Sequence, residues 1–194
     1  MEKDPGGEMM TDELFQGKLV ELVPMDLDKD LALWEKWERD SDYQRLLNMN
    51  PASQYSASMT KEYIENNPDE GAFFSIQTLE DHKTIGFVDL GSYDWMARNG
   101  WVGIAIGEAD FRGKGYGTDA MNVLLKFAFR GLNLHRVNLG VFEFNKRAIR
   151  CYEKCGFKYE GTNRESIYKE DKRWDVFNMG VLRSEWEALQ TPSG

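Results

Sequence analysis

The sequence predicts a single domain of the α/β (α+β) class, a mixed and mostly antiparallel twisted sheet flanked by helices. Three observations carry this expectation. Residues 71–79, 84–90 and 101–107 are short apolar segments separated by a polar turn and then by one containing asparagine and glycine, the pattern of an antiparallel meander. In the second half, strand-like segments alternate with amphipathic helices, the pattern of strand–helix–strand–helix units. With 194 residues the chain can bury one substantial core but is short for two full domains.

The elements follow in order. Residues 1–12 are polar and glycine-containing and read as a flexible tail, so the domain is expected over 13–190. A first strand is predicted over 18–23; Pro24, Asp26 and Asp28 then lead into a helical region over 31–47, with Trp34, Trp37, Leu46 and Leu47 as its apolar contacts. Residues 48–58, with Pro51, read as a loop, and 60–66 as a short helix capped by Thr60. Strands over 71–79 and 84–90 turn at 80–83, and a turn with Asp94, Asn99 and Gly100 leads to the strand over 101–107.

Over 118–130, Met121, Leu124, Leu125, Ala128 and Phe129 recur at i, i+3, i+4, i+7 and i+8, which gives a helix one buried stripe, ended by Gly131. A strand over 136–144 and a helix over 145–155 follow. Gly156 before apolar Phe157 supplies a left-handed helix stop with a hydrophobic contact. Residues 157–161, 166–168 and 176–182 suggest closing strands, and 184–189 a last helical turn or two.

Acidic residues outnumber basic ones 33 to 24, a formal charge of −9. That balance argues against a general nucleic-acid binder and suits cationic small molecules or basic peptides. Cys151 and Cys155, four apart on a predicted helix, form neither a disulfide framework nor a four-ligand zinc pattern, and a reducing cytoplasm fits them. His82 and His135 lie far from them in sequence, so no metal site is expected. The start has no basic-then-apolar signal, and no apolar run approaches the roughly 18 residues of a membrane span. A cytoplasmic protein without membrane contact is the expectation.

The most informative stretch is WVGIAIGEADFRGKGYGTDA, residues 101–120. A strand runs into a loop with Gly113, Gly115 and Gly117, which opens directly into the helix beginning near Thr118. Alternating glycines let several backbone N–H groups point one way, and the helix N-terminus adds its positive dipole end, so the loop reads as an anion cradle. Arg112 and Lys114 place two cations beside it, suited to phosphate oxygens. Gly113–Lys114 continues with Gly115 rather than a hydroxyl residue, which excludes a Walker loop, and G-x-G-x-G spacing is not the dinucleotide fingerprint.

Arg112-x-x-Gly115-x-Gly117 resembles the pyrophosphate loop of the GNAT acetyltransferases, R/Q-x-x-G-x-G/A. NKRAIRCYEKCGF, residues 145–157, resembles their second motif, N-x-x-A-x-x-x-Y-x-x-x-G-F, one strand further on. The resemblance runs from about residue 86 to 182, is nearest to the branch of spermidine and ribosomal-protein N-terminal acetyltransferases, and includes the closing-hairpin segment EGTNRESIYKEDKRWDVFNMGVL. It implies a twisted sheet whose central strands splay apart, acetyl-CoA as co-substrate, and an acceptor bearing a primary amine: a polyamine, a protein N-terminus or another small amine. It implies that Arg112, Gly113, Lys114, Gly115, Tyr116, Gly117 and Thr118 hold the pyrophosphate. Backbone near Ile104, Ala105 and Ile106 would meet the thioester carbonyl, Asn145 and Ala148 the pantetheine arm, and Tyr152 would give its proton to the departing thiolate. A homodimer is a further implication.

Gly103, Ala105 and Gly107 make one face of their strand small, leaving room there. Related sequences often carry a glutamate in a segment like A-E-L-G-I, and its equivalent here is Trp101. The usual strand glutamate is therefore absent; the candidates for a base are Glu108, Asp89, Glu35, Glu38 and Asp42, while a water relay or an acceptor arriving already neutral would need no dedicated base. Trp34, Trp37, Trp95 and Trp101 are candidates for an acceptor pocket through cation–π contact. Two functional expectations follow: an N-acetyltransferase acting by direct attack of the amine, or an acyl-CoA-binding sensor that has lost turnover.

Overall fold

The computed structural model describes residues 14–47, 61–62 and 71–190. The expected tail over 1–12, the loop over 48–58 and most of the helix over 60–66 lie outside the described residues.

Seven strands form one sheet: β1 (Val20–Pro24), β2 (Gly71–Thr78), β3 (Thr84–Asp94), β4 (Asn99–Ile106), β5 (Arg136–Phe142), β6 (Lys158–Lys169) and β7 (Lys172–Leu182), in the order β1-β2-β3-β4-β5-β7-β6. Every neighbouring pair is antiparallel except β4 and β5. A parallel pair needs a crossover, and α3 (Tyr116–Lys126), continued by a π-helical turn at Phe127–Gly131, provides it. The two parallel strands pair only where Asn99–Trp101 meet Arg136–Asn138, and beyond that they part.

The predicted stripe on α3 is the heart of the core. Met121, Leu124, Leu125, Ala128 and Phe129 are fully buried against Val20, Ile76, Val88, Val137 and Leu139 of the sheet. Asp119, in the first turn, fixes the start of the helix, its Oδ2 accepting the N–H groups of Leu19 (2.7 Å) and Val20 (3.1 Å) ahead of and within β1.

The helical region expected over 31–47 is two helices, α1 (Leu27–Glu38) and α2 (Ser41–Leu47). Asp26 caps the first, accepting from the Asp28 N–H, which is why it begins earlier than the apolar pattern suggests. Asp40 separates them: its Oδ1 accepts from the N–H groups of Asp42 (3.0 Å) and Tyr43 (3.2 Å), starting a new helix rather than continuing the old. Trp37 of α1 is buried with Tyr43 and Ala105 in a small second core. A Cβ at position 107 would lie 2.0 Å from Trp37 Cδ2, so only glycine allows α1 this close to the end of β4.

α4 (Lys146–Lys154) ends as predicted: Gly156 has φ 93°, the Phe157 N–H donates to the Tyr152 carbonyl, and the Gly156 N–H donates to that of Glu153. The closing strands expected as three pieces are one long hairpin, β6–β7. Its register shifts at Tyr159/Gly161 and Asn163/Ile167 mark where the apolar pattern was interrupted. α5 (Arg183–Gln190) follows, with Trp186 in the main core.

Candidate active site

Where β4 and β5 part, a cleft of about 330 Å³ opens, lined by both strands and by α2, α3, α4 and the loop before α3. At the loop end, Gly113 (φ 75°) and Gly115 (φ 96°) occupy the left-handed region that side-chain-bearing residues avoid. Gly115 is the N-cap of α3, and the Asp119 N–H closes the first helical bond on its carbonyl. The N–H groups of the first turn, from Tyr116 on, therefore have no intrahelical acceptor, and they stand at the positive end of the helix dipole. Gly113, Gly115, Gly117 and Thr118 line the cleft; at Gly117 an added Cβ would meet nothing nearer than Ile106 Cγ1 at 3.6 Å.

Three members of the predicted loop set differ from the rest: Lys114 is exposed and outside the cleft lining, and Tyr116 and Arg112 make other contacts. Tyr116 packs edge-on against Phe111, ring centroids 5.1 Å apart, and is not part of the cleft lining. Arg112 reaches the cleft wall, but its guanidinium turns inward: Nε donates to the Ile106 carbonyl (2.9 Å), and Nη2 to the Gly107 carbonyl (2.6 Å) and Asp40 Oδ2 (2.9 Å). Of the expected pair of loop cations, Lys114 is exposed and Arg112 is hydrogen-bonded within the protein. The basic residues lining the cleft besides Arg112 are Arg147, Arg150 and Lys154 of α4. These three are fixed positions of neither motif, but their spacing of three and four puts them on one helix face, a signal present in KRAIRCYEK.

α4 forms the opposite wall. Asn145 caps it, its Oδ1 accepting the Ala148 N–H at 3.1 Å, and Asn145, Ala148, Cys151 and Tyr152 all line the cleft. Tyr152 is only 7% exposed, packs edge-on to Phe157, and among the described residues its hydroxyl has no hydrogen-bond partner. Burial, with the nearby Cys151, Cys155 and Asp89, pushes the phenol well above its ordinary pKa, so it holds its proton. Cys155 is buried in the core, as its small apolar character suggests, whereas Cys151 reaches the cleft and accepts the Thr118 hydroxyl at 3.3 Å. The Cys155 thiol beside it, aided by Thr118, holds Cys151 below the ordinary thiol range against the effect of burial.

The floor is backbone. Val88, Phe87 and Gly86 pair with Ile104, Ala105 and Ile106 on one edge of β4. Its other edge, past Trp101, faces the gap, so the alternate N–H and C=O groups that would serve β5 are presented to the cleft. Gly140, Val141 and Phe142 of β5 stand opposite, and Tyr43, Leu46 and Leu47 of α2 close one side.

The candidate carboxylates separate by environment. Glu108 accepts from Lys36 Nζ (2.5 Å) and Trp37 Nε1 (2.9 Å), and although burial opposes this, these partners keep it below the usual carboxylate range. Glu35 pairs with Arg39, and Asp42 is exposed. Glu38 is pushed up by burial. Asp89, on β3 facing Gly103, is pushed by burial to about 6, with the Gly103 N–H acting in the other direction. Of the tryptophans, Trp37 is core and Trp34 stacks on Phe87; Trp95 and Trp101 are exposed at 61% and 45%.

The acetyltransferase (GNAT) domain model matches residues 20–158. The chain belongs to the GNAT acetyltransferase family. This GNAT protein is similar to the SPbeta prophage-derived uncharacterized N-acetyltransferase YokL of Bacillus subtilis, 31% identical over 134 residues, 68% of this chain and 74% of that one. It is also similar to spermidine N(1)-acetyltransferase of Vibrio cholerae, 33% identical over 102 residues, 53% of this chain and 58% of the relative. A crystal structure of the Vibrio cholerae spermidine N-acetyltransferase in complex with CoA and spermine has the same fold, with TM-score 0.78 at 24% identity over 87% of this chain and 98% of that one. The GNAT protein is an N-acetyltransferase that uses acetyl-CoA. Among its described residues no group of side chains is arranged to hold a metal ion, and no helix is long and apolar enough to cross a membrane.

Proposed function

We propose that this acetyltransferase acetylates a primary amine, that of a polyamine, a protein N-terminus or another small amine, by direct attack within the cleft between β4 and β5. One observation carries the reading: the glycine loop at the start of α3 and a buried, protonated Tyr152 lie on the same cleft, which opens where two parallel strands stop pairing. Acetyl-CoA supplies the activated acetyl group. The first-turn N–H groups of α3, with Gly113, Gly115, Gly117 and Thr118, receive its pyrophosphate, and Arg147, Arg150 and Lys154 add positive charge along the wall. Lys114 stands exposed at the loop, where its ammonium adds positive charge near the phosphates. Asn145 and Ala148 border the pantetheine path, and the free edge of β4 at Ile104, Ala105 and Ile106 offers backbone N–H to the carbonyl oxygen. Tyr152 donates its phenolic proton to the departing sulfur.

The net charge of −9 favours a cationic acceptor, and a spermidine acetyltransferase stands among the relatives. The test is release of free CoA thiol from acetyl-CoA with spermidine, amino-terminal peptides and aminoglycosides as acceptors. At least one, with spermidine or a peptide foremost, is expected to release thiol above background. CoA binding with no acceptor turned over would favour an acyl-CoA sensor, and absence of CoA binding would refute both.

A further inference from the structure

Attack by an amine on a thioester requires somewhere for the amine's proton to go, and the strand position at which related sequences carry a glutamate is Trp101 here. The carboxylates around the cleft are mostly committed: Glu108 to Lys36 and Trp37, Asp40 to Arg112, Glu35 to Arg39. Asp89 is not. Among the described residues it has no ion pair, and it is partly buried rather than sealed in the core.

Its position follows from the sheet. Asp89 on β3 is directly opposite Gly103 on β4, on the face covered by α1 and α2, where the next pair, Phe87 and Ala105, packs under Trp34, Trp37 and Tyr43. A Cβ at position 103 would lie 2.5 Å from Asp89 Oδ1 and 3.3 Å from its Cγ. The carboxylate therefore lies across β4 in the space a side chain at 103 would fill, and Gly103 lines the cleft. From there the charge is felt by Tyr152 on the far wall. A small residue on β4 thus lets a carboxylate rooted one strand away approach the reacting gap.

We infer that Asp89 is the general base, taking the proton of the acceptor amine above Gly103 and standing in for the strand glutamate replaced by Trp101. The inference rests on the acetyl-transfer reading above. The amine lone pair forms the N–C bond as the C–S bond breaks; the sulfur takes the Tyr152 proton, and the surplus amine proton passes to the Asp89 carboxylate. The products are an amide and the CoA thiol, and the two side chains re-equilibrate their protons with solvent. Burial lifts Asp89 to about 6, close to the range in which a carboxylate is both ionised and basic enough to serve.

The test uses the full chain with acetyl-CoA and the most active acceptor of the panel above. Asp89→Asn is expected to lower kcat about a hundredfold or more with the dissociation constant for CoA unchanged. The acid limb of the wild-type kcat profile, near pH 6, is expected to vanish. Of the other titratable groups, Tyr43 and Tyr152 on the cleft and Tyr93 near Asp89 are all pushed above their ordinary values by burial. Cys151 and Glu38 are separated from Asp89 by Cys151→Ser and Glu38→Gln, which are expected to keep the limb. Gly103→Ala, which displaces the carboxylate while leaving it in place chemically, is expected to lose at least tenfold in kcat. A full rate and an unchanged limb in Asp89→Asn overturn the inference and leave acetyl transfer standing. Loss of rate and limb in Glu38→Gln instead transfers the role to Glu38. A wild-type protein that binds CoA and acetylates nothing overturns the reading beneath both.

Discussion

Arg112→Met is the most direct test of how the phosphate loop is built. The substitution keeps the apolar stem and removes the guanidinium, which joins the end of β4, through the Ile106 and Gly107 carbonyls, to Asp40 at the junction of α1 and α2. The arginine side chain is 11% exposed and that of Asp40 34%. Two charge-assisted bonds to carbonyls contribute about 1.5 kcal/mol each. The pair with a one-third-exposed carboxylate adds at most about 1 kcal/mol. A loss of about 3 kcal/mol follows, which at a slope of about 2 kcal/mol/M lowers the urea midpoint by about 1.5 M. Circular dichroism measures that shift. Calorimetry without denaturant is expected to show CoA affinity reduced less than about threefold, whereas neutralising Arg150 and Lys154 together lowers it more and flattens its salt dependence. An unchanged midpoint with a tenfold or greater loss of CoA affinity in Arg112→Met would refute the brace and restore the guanidinium as a phosphate ligand.

Asp89→Asn is expected to stabilise the fold at pH 7 by about 1–3 kcal/mol, since a carboxyl raised from 3.8 to about 6 opposes folding once ionised. The sign is fixed by the raised value: below about pH 4 both states are protonated and the two proteins match, and the wild type loses stability as pH rises through about 6. Denaturation at pH 3.5 and 7.5 checks this; equal gains at both would refute it. Tyr152→Phe is expected to lower kcat about a hundredfold while the melting temperature and CoA affinity hold, because the hydroxyl has no partner among the described residues. An unaffected rate would leave Tyr152 a core residue. Iodoacetamide is expected to label Cys151 well before Cys155 by mass spectrometry, and CoA to slow that labelling, since Cys151 lines the cleft and is held below the ordinary thiol range.

What the amino-acid order determined by itself was local. The stripe from Met121 to Phe129, the cap at Asn145, the left-handed stop at Gly156 and the glycines of the loop each depend on neighbours within a turn or two, so their periodicity and backbone demands are written into consecutive residues. The same holds for the two linked motifs, which carried the family and acetyl-CoA as co-substrate.

The tertiary structure decided what depends on distant partners. Asp40 breaks the first helical region and then takes up Arg112, 72 residues away. That pairing engages within the protein a guanidinium expected at the phosphates, a contact that no reading of the loop alone reveals. Among the candidate bases, Glu108 and Asp89 look alike in sequence; the lysine beside the one and the glycine facing the other across a strand pair separate them. The gap itself comes from a parallel pairing that ends after three residues, a property of sheet twist and crossover length that no segment holds alone.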